Sequence, residues 1–213
     1  MAASSWLSAY RPVAGDVVVD AGAGAGTETF VFSQLVGPTG RVIAFEPHPA
    51  MFARLERLCS VGGLSNVVCL DVALSDKRTT AMLGDLDDGS ASIVDDTGTV
   101  SVRVDTLDGV LDELGVQRID LLKMNIEGAE VRALAGFLDG LGRTENVVIS
   151  CHDFLADAGG PSVFRTRAAI RSALQSYGFV VTDGPVDGDP WDRDRLYGRV
   201  SHRLADASAR RLG

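Results

Sequence analysis

Residues 15–26, with the sequence GDVVVDAGAGAG, constrain the fold more than any other part of the chain. The β-branched run 17–19 is typical of a central parallel strand that is covered on both faces. Gly22, Gly24 and Gly26 then permit a tight turn in which the backbone can approach a ligand closely. A strand, a glycine loop and the start of a following helix predict a nucleotide-type binding site in an open α/β sheet.

Beyond this loop, predicted helices and strands alternate, which favours a doubly wound, mostly parallel sheet. The first helix is predicted over 27–35, with Phe30, Val31 and Leu35 on its buried face. Further strands are predicted at 41–45, 67–70, 119–124, 147–151, 179–182 and 196–200, and further helices begin near Pro49, Thr106, Glu130 and Ser162. The helix that begins near Glu130 is predicted to carry Val131, Leu134, Phe137, Leu138 and Leu141.

The remaining segments predict additions to this sheet. Short β-like runs within 75–104, one of them at 91–94, predict a hairpin-like excursion. Residues 1–13 carry aromatic side chains and are predicted to cap the sheet or cover the site, and 183–195 reads as a long loop. The whole chain, 1–213, is predicted to be a single domain with a flexible tail over 204–213.

The composition is that of an ordinary soluble globular protein, and it narrows the choice of partner. The chain has 29 acidic and 20 basic residues, a formal net charge of −9. This charge disfavours nonspecific binding to nucleic acid or to an anionic membrane surface, so a small-molecule partner is expected. No apolar run approaches the roughly 20 residues that a membrane span needs. Residues 1–11 lack the features of a secretory signal, so a cytoplasmic location is expected.

The three cysteines do not indicate a disulfide framework. Cys59, Cys69 and Cys151 are odd in number, far apart in the sequence and embedded in apolar runs. Reduced core residues are therefore expected, with a catalytic thiol at Cys151 as the alternative.

Polar residues follow five of the predicted strands. In an open α/β sheet, ligands bind beyond the carboxyl ends of the strands, so these side chains are expected to converge. They are Asp20, Glu46, Asp71, Asn125 with Glu127, and His152 with Asp153.

Two cofactors are compatible with the glycine loop taken alone. A dinucleotide-binding loop would have the spacing G-x-G-x-x-G, whereas this chain has G-x-G-x-G beginning two residues after Asp20. Asp20 would sit badly against a pyrophosphate but well against the ammonium group of a methionine moiety. Glu46, about 20 residues after the loop, could hold ribose hydroxyls in either case.

Several motifs in order resemble the FkbM family of class I S-adenosylmethionine-dependent methyltransferases. They are VVVDAGAGAGTET, AFEPHP, LDVALSD and TLDGVLDELGVQRIDLLKMNIEGAE, which span roughly residues 15–153 together with the leucine-rich helix that follows. The pairing of TLD with IEGAE, separated by a predicted helix and strand, is the most specific part. Asn125 departs from the pattern, because the family usually has aspartate there (KIDVEGAE against KMNIEGAE).

The resemblance implies a Rossmann-like, seven-stranded sheet whose last strand is antiparallel, S-adenosyl-L-methionine as cofactor, and methyl transfer to a hydroxyl of a natural product, sugar or glycan. By position, it implies that Asp20, Gly22 and Gly24 bind the methionine part, Glu46 the ribose and Asp71 the adenine amine. Asn125 keeps a hydrogen-bonding group at a cofactor-facing position but lacks the charge of aspartate.

His152 is the first candidate for a general base, because an imidazole titrates near neutral pH. Asp153 could orient it or act in its place, and Glu127 is a further candidate. A structural, hydrogen-bonded histidine fits the sequence equally well. Asn125, Glu127, His152 and Asp153 could also form a divalent metal site, but hard-cation sites usually gather more carboxylates than this spacing ensures, so no metal is favoured.

Three hypotheses follow. The leading one is an S-adenosylmethionine-dependent O-methyltransferase of secondary metabolism, such as antibiotic biosynthesis, with a small-molecule hydroxyl acceptor. The second is an NAD-dependent oxidoreductase on a similar sheet, which the loop spacing disfavours. The third is a noncatalytic cofactor-binding protein, motivated by Asn125 in place of the usual acid.

Overall fold

The computed structural model describes residues 3–84, 98–185, 187 and 189–201. Its ten strands are β1 (Val17–Ala21), β2 (Arg41–Phe45), β3 (Val67–Leu70), β4 (Val72–Leu74), β5 (Thr79–Leu83), β6 (Val100–Asp105), β7 (Leu121–Met124), β8 (Asn146–Ser150), β9 (Phe179–Asp183) and β10 (Arg195–Val200). The helices within the same residues are α1 (Ala3–Trp6), α2 (Thr27–Val36), α3 (Pro49–Gly62), α4 (Leu107–Glu113), α5 (Glu130–Ala135), α6 (Leu138–Leu141), α7 (Asp153–Asp157), α8 (Arg167–Ser176) and α9 (Pro190–Arg193). The tail predicted over 204–213 lies outside this part of the chain.

Seven strands form the main sheet in the order β3-β2-β1-β7-β8-β10-β9. The first five of these run parallel, whereas β10 is antiparallel to both of its neighbours. The predicted doubly wound, mostly parallel seven-stranded sheet is therefore confirmed. The antiparallel strand, β10, is the last in sequence and lies between β8 and β9.

Alternate residues of β1 supply the two faces of the sheet with apolar side chains. Val19 and Ala21 pack with the apolar faces of α4, α5, α6 and α8, and Val18 packs with Phe32 and Val36 of α2. Burying each large aliphatic side chain contributes about 1.5–3 kcal/mol, so a strand covered on both faces holds the centre of the molecule together.

Helix α2 presents a different face to the sheet from the one expected. Thr29, Phe32, Ser33 and Val36 are buried, whereas Phe30 is exposed. Two hydrogen bonds explain this rotation. Thr29 donates its hydroxyl to Asp20 at 2.6 Å, and Ser33 donates to Asn66 at 2.6 Å, so the polar residues of this helix face inward.

The single helix predicted from Glu130 to Leu141 is broken into α5 and α6. Gly136 lies so close to the backbone of Ser75 that an added Cβ would stand 2.1 Å from its carbonyl oxygen. The chain turns there, and Val131 and Leu138, which the prediction placed on one helix, lie on separate helices and are 39% and 50% exposed.

The segment after β3 forms a second sheet of three strands in the order β4-β6-β5. Strands β5 and β6 pair antiparallel, as the hairpin-like excursion predicts, and β4 adds to β6 in parallel. The expected run at 91–94 lies outside the described residues. Ala73, Leu83, Val102 and Val104 form the apolar core of this small sheet.

Two further segments differ from their simplest predictions. Ser162 begins a short 3-10 turn (Ser162–Phe164), and α8 begins later, at Arg167. The loop predicted over 183–195 contains α9. Trp6 of α1 packs on the face of the main sheet beside α2, so the N-terminal segment caps the sheet. None of the helices in the described residues is long and apolar enough to cross a membrane.

The cysteines are free, as expected, but two of them meet. The sulfur atoms of Cys59 on α3 and Cys69 on β3 lie 3.6 Å apart. Cys151 is buried, and this burial raises the pKa of its thiol.

Candidate functional site

A cavity of about 280 Å³ opens beyond the carboxyl ends of β1, β2 and β7, where an open α/β sheet binds its ligands. Its walls come from the glycine loop, the end of β2, the start of α3, the small sheet and the turn after β7. The lining residues are Gly22, Gly24, Ala25, Phe45, Glu46, Pro47, Met51, Arg54, Val72, Ala73, Leu74, Leu83, Asn125, Ile126, Glu127 and Ala129.

The three glycines of the loop have different surroundings. An added Cβ on Gly22 would stand 1.9 Å from the carbonyl oxygen of Asn125, and one on Gly26 would stand 2.8 Å from side-chain atoms of Leu55 and Leu58. Gly24 lines the cavity and has open space where a Cβ would point. Gly22 and Gly26 therefore pack the loop against the protein, and Gly24 leaves room for a ligand.

Asp20 lies behind the glycine loop instead of facing the cavity. Its side chain is completely buried, and Thr29 donates a hydrogen bond of 2.6 Å to Oδ2. The ammonium group of Lys123 lies 2.9 Å from Oδ1. Both carboxylate oxygens thus contact the protein. The expected direct contact with a methionine ammonium group is not what this geometry favours.

Glu46, which is expected to bind ribose hydroxyls, lies on the wall of the cavity directly after β2. Its Oε2 accepts the backbone N–H of Gly24 at 2.8 Å, and its Oε1 accepts that of His48 at 2.9 Å. Burial raises the pKa of this carboxyl, while the hydrogen bonds from His48 and Gly24 act in the opposite direction. The carboxylate therefore joins two walls of the cavity.

Asp71 does not line the cavity. It is exposed between β3 and β4, and the residues that follow it, Val72 and Ala73, provide the lining instead. With Phe45 and Leu83 they form an apolar wall. The expected contact of Asp71 with an adenine amine is not supported, whereas this wall offers an apolar surface for a flat ring.

Asn125 and Glu127 lie on the opposite wall, in the turn between β7 and α5. Glu127 has a left-handed backbone conformation with φ 52°, which is uncommon for a residue with a side chain. Buried Glu130 supports this turn because its Oε1 accepts the N–H groups of Ile126 at 3.1 Å and Gly128 at 3.3 Å.

His152 is buried behind Glu127 and does not line the cavity. Its Nε2 lies 3.3 Å from Glu127 Oε2 and its Nδ1 lies 3.0 Å from Glu130 Oε1. Burial acts to lower the pKa of His152, but the two carboxylates outweigh it and raise the pKa to about 10. The imidazole is thus protonated at neutral pH. It braces the turn and is poorly suited to be the base expected from the sequence.

Asp153 and Cys151 also have roles away from the cavity. Asp153 Oδ2 accepts the N–H groups of Thr166 and Arg167, each at 2.9 Å, at the start of α8. Cys151 is completely buried in the apolar core. Of the three expected catalytic residues, Glu127 is the one that lines the cavity, with its side chain 25% exposed. Within the described parts of the chain, no group of three or more histidine, cysteine, aspartate or glutamate residues could hold a metal ion.

Comparison with known proteins shows the family of this chain. Residues 20–181 match the methyltransferase FkbM domain. Methyltransferase 1 of Beauveria bassiana is 28% identical over 211 residues, covering 87% of this chain and 80% of that protein. The 2-O-methyltransferase NoeI of Sinorhizobium fredii is 30% identical over 157 residues, covering 64% of this chain and 63% of that protein.

A solved structure has the same fold. The FkbM methyltransferase from Methylobacillus flagellatus superposes with a TM-score of 0.65 at 17% sequence identity. The match covers 92% of this chain and 47% of the other, so the chain spans about half the length of that protein.

Alanine substitutions at Gly22 and at Gly24 should lower the stability of the protein by different amounts. Gly22→Ala and Gly24→Ala both place an alanine at positive φ, which costs about 1–2 kcal/mol. Gly22→Ala also forces the Asn125 backbone to move. We expect Gly24→Ala to lower the free energy of unfolding in urea by about 1–2 kcal/mol, and Gly22→Ala by clearly more. Equal losses would contradict these assignments.

We expect the contribution of His152 to stability to depend on pH. Its pKa of about 10 in the folded protein exceeds the usual value near 6.5, so its stabilisation is complete below about pH 6.5 and is lost as the pH rises through about 10. We expect His152→Gln to lower the free energy of unfolding most at pH 6, less at pH 8 and least at pH 10. Urea titrations of both proteins at each pH measure this difference. A difference that does not change with pH would show that protonated His152 is not stabilised by Glu127 and Glu130.

Proposed function

Because this chain belongs to the FkbM methyltransferase family, we propose that it is an S-adenosylmethionine-dependent O-methyltransferase acting on a hydroxyl of a small molecule. The observation that carries the proposal is the pairing of Gly24 with Glu46. Gly24 leaves open space beside the glycine loop, and its N–H group donates to the carboxylate of Glu46, which lies next to it on the cavity wall. The loop spacing G-x-G-x-G, in place of G-x-G-x-x-G, supports this cofactor over a dinucleotide.

The residues of the cavity fit S-adenosylmethionine. A carboxylate such as that of Glu46 suits a pair of ribose hydroxyls, and the apolar wall formed by Phe45, Val72 and Leu83 suits an adenine ring. Backbone groups of the glycine loop and the side chain of Asn125 would contact the methionine part. When bound, this cofactor supplies an electrophilic methyl group.

Glu127 is the residue that we assign to proton removal. It faces the cavity, and His152 holds its carboxylate from behind at 3.3 Å. In this role Glu127 accepts the proton of the acceptor hydroxyl, which contributes roughly 10²–10⁴-fold in rate for a positioned base. In the same proposal the cavity walls orient the acceptor, and holding two reactants in the right geometry can lower a barrier by about 7–11 kcal/mol.

The acceptor class in this proposal is a natural product, sugar or glycan, as in secondary metabolism. NoeI is named as a 2-O-methyltransferase, which supports transfer to oxygen. The net charge of −9 disfavours a nucleic-acid acceptor.

Binding of the cofactor tests the proposed function directly. We expect S-adenosylmethionine and S-adenosylhomocysteine to bind in calorimetry. Glu46→Gln should weaken binding about 10- to 150-fold, since a hydrogen bond to a charged group is worth about 1.5–3 kcal/mol. Glu56→Gln, an exposed glutamate on α3, is the matched control and should bind like the unaltered protein. No binding of either compound at millimolar concentration would refute the cofactor assignment.

Substitution of Glu127 tests the catalytic assignment. Radiolabelled S-adenosylmethionine is offered with a panel of monosaccharides, disaccharides and hydroxylated aromatic compounds. With an acceptor that is methylated, Glu127→Gln should lower kcat at least 100-fold, because the base is lost. Affinity for S-adenosylhomocysteine should stay within about threefold. An unchanged kcat would show that Glu127 is not the base.

A further inference from the structure

A lysine is buried behind the glycine loop. The side chain of Lys123, on β7, is 2% exposed, and its Nζ lies 2.9 Å from Asp20 Oδ1 and donates a hydrogen bond of 2.7 Å to the carbonyl oxygen of Gly22. Lysine is rarely so buried without a partner, because its ammonium group loses its hydration. Here one ammonium group contacts both the strand before the loop and the loop itself.

The ion pair connects three points around the loop. Asp20 is the penultimate residue of β1, Gly22 begins the loop, and Thr29, which donates to Asp20 at 2.6 Å, lies in the first turn of α2. A buried ion pair often adds little to global stability compared with apolar residues of similar size. Here the ion pair fixes the conformation of the glycine loop, because its contacts hold the loop at both ends.

Trp6 covers this ion pair. Its ring is 5% exposed, with the Lys123 ammonium group 5.1 Å from the ring centroid. The guanidinium carbon of Arg195, on β10, lies 3.8 Å from the same centroid. Cation–π contacts of this kind attract the cations to the ring, and the ring also keeps water from the ammonium group.

We propose that Lys123 and Trp6 are positioning residues for the cofactor. Lys123 holds the glycine loop in the conformation that leaves space beside Gly24, and Trp6 shields the ion pair from water. The N-terminal segment is thus part of the methyl-donor site, although residues 3–13 do not line the cavity. The inference rests on the proposed function, because it assigns these residues to the binding of the methyl donor.

The test compares local and global effects of variants. Lys123→Met alone would leave a buried carboxylate without its cation, so the double variant Asp20→Asn with Lys123→Met removes both charges. Trp6→Ala removes the cover, and Trp6→Phe keeps an aromatic ring. Lys77→Met and Trp191→Phe, both at exposed positions, are the matched controls.

Two measurements are made on each protein. Amide hydrogen exchange without ligand compares the glycine loop at residues 22–26 with strand β8. Calorimetry gives the affinity for S-adenosylhomocysteine. The loop amides serve as reporters because Gly22 and Ala23 both donate to the carbonyl oxygen of Phe45, at 3.0 and 2.9 Å, and Gly26 donates to Ala23 at 2.9 Å.

We expect the double variant and Trp6→Ala to exchange at least tenfold faster in the loop, with β8 unchanged, and to bind at least fivefold more weakly. Trp6→Phe should recover most of the loss, and the controls should match the unaltered protein. Unchanged loop exchange and affinity in the double variant and in Trp6→Ala would overturn the inference, as would equal acceleration in the loop and β8. If the unaltered protein does not bind S-adenosylhomocysteine, the proposed function fails, and the exchange measurement still decides whether these residues hold the loop.

Discussion

The close approach of Gly22 to the backbone of Asn125 is the contact on which the rest of the site depends. Strands β1 and β7 are neighbours in the sheet, and the chain leaves both of them at the same edge. The glycine loop and the turn that carries Glu127 therefore touch back to back, closer than any side chain on Gly22 would allow. The cavity exists because the two segments separate beyond this contact.

Each of these segments is braced from behind by a buried cation. Lys123 contacts Asp20 and the carbonyl of Gly22 under the glycine loop. His152, whose pKa of about 10 keeps it protonated, lies between Glu127 and Glu130 behind the other segment. Buried charges are costly unless they are paired, so both arrangements oppose movement of the walls they support. A methyl transfer that relies on orientation requires such rigid walls.

The sequence predicted the sheet better than the helix faces. A β-branched run such as 17–19 fits a strand covered on both sides and few alternatives, and the bounds of β2 and β3 agree with their apolar runs. Helix faces depend on distant partners. Phe30 is exposed because Thr29 bonds to Asp20, and Leu138 is exposed because Gly136 packs on Ser75. No local pattern contains these contacts.

The sequence by itself determined the fold class, the edge of the sheet at which the cavity opens, and the presence there of Gly24, Glu46, Asn125 and Glu127. These follow from the alternation of strands and helices along the chain and from the residues next to the strand ends, both of which can be seen in the sequence. Tertiary structure alone decided which polar groups face the cavity. Asp20 and His152 lie next to strand ends as expected, but Lys123 binds Asp20 under the loop, and Glu127 and Glu130 hold His152 behind the cavity wall. A strand-end position places a side chain near the site, whereas its charge partners decide whether it points into it.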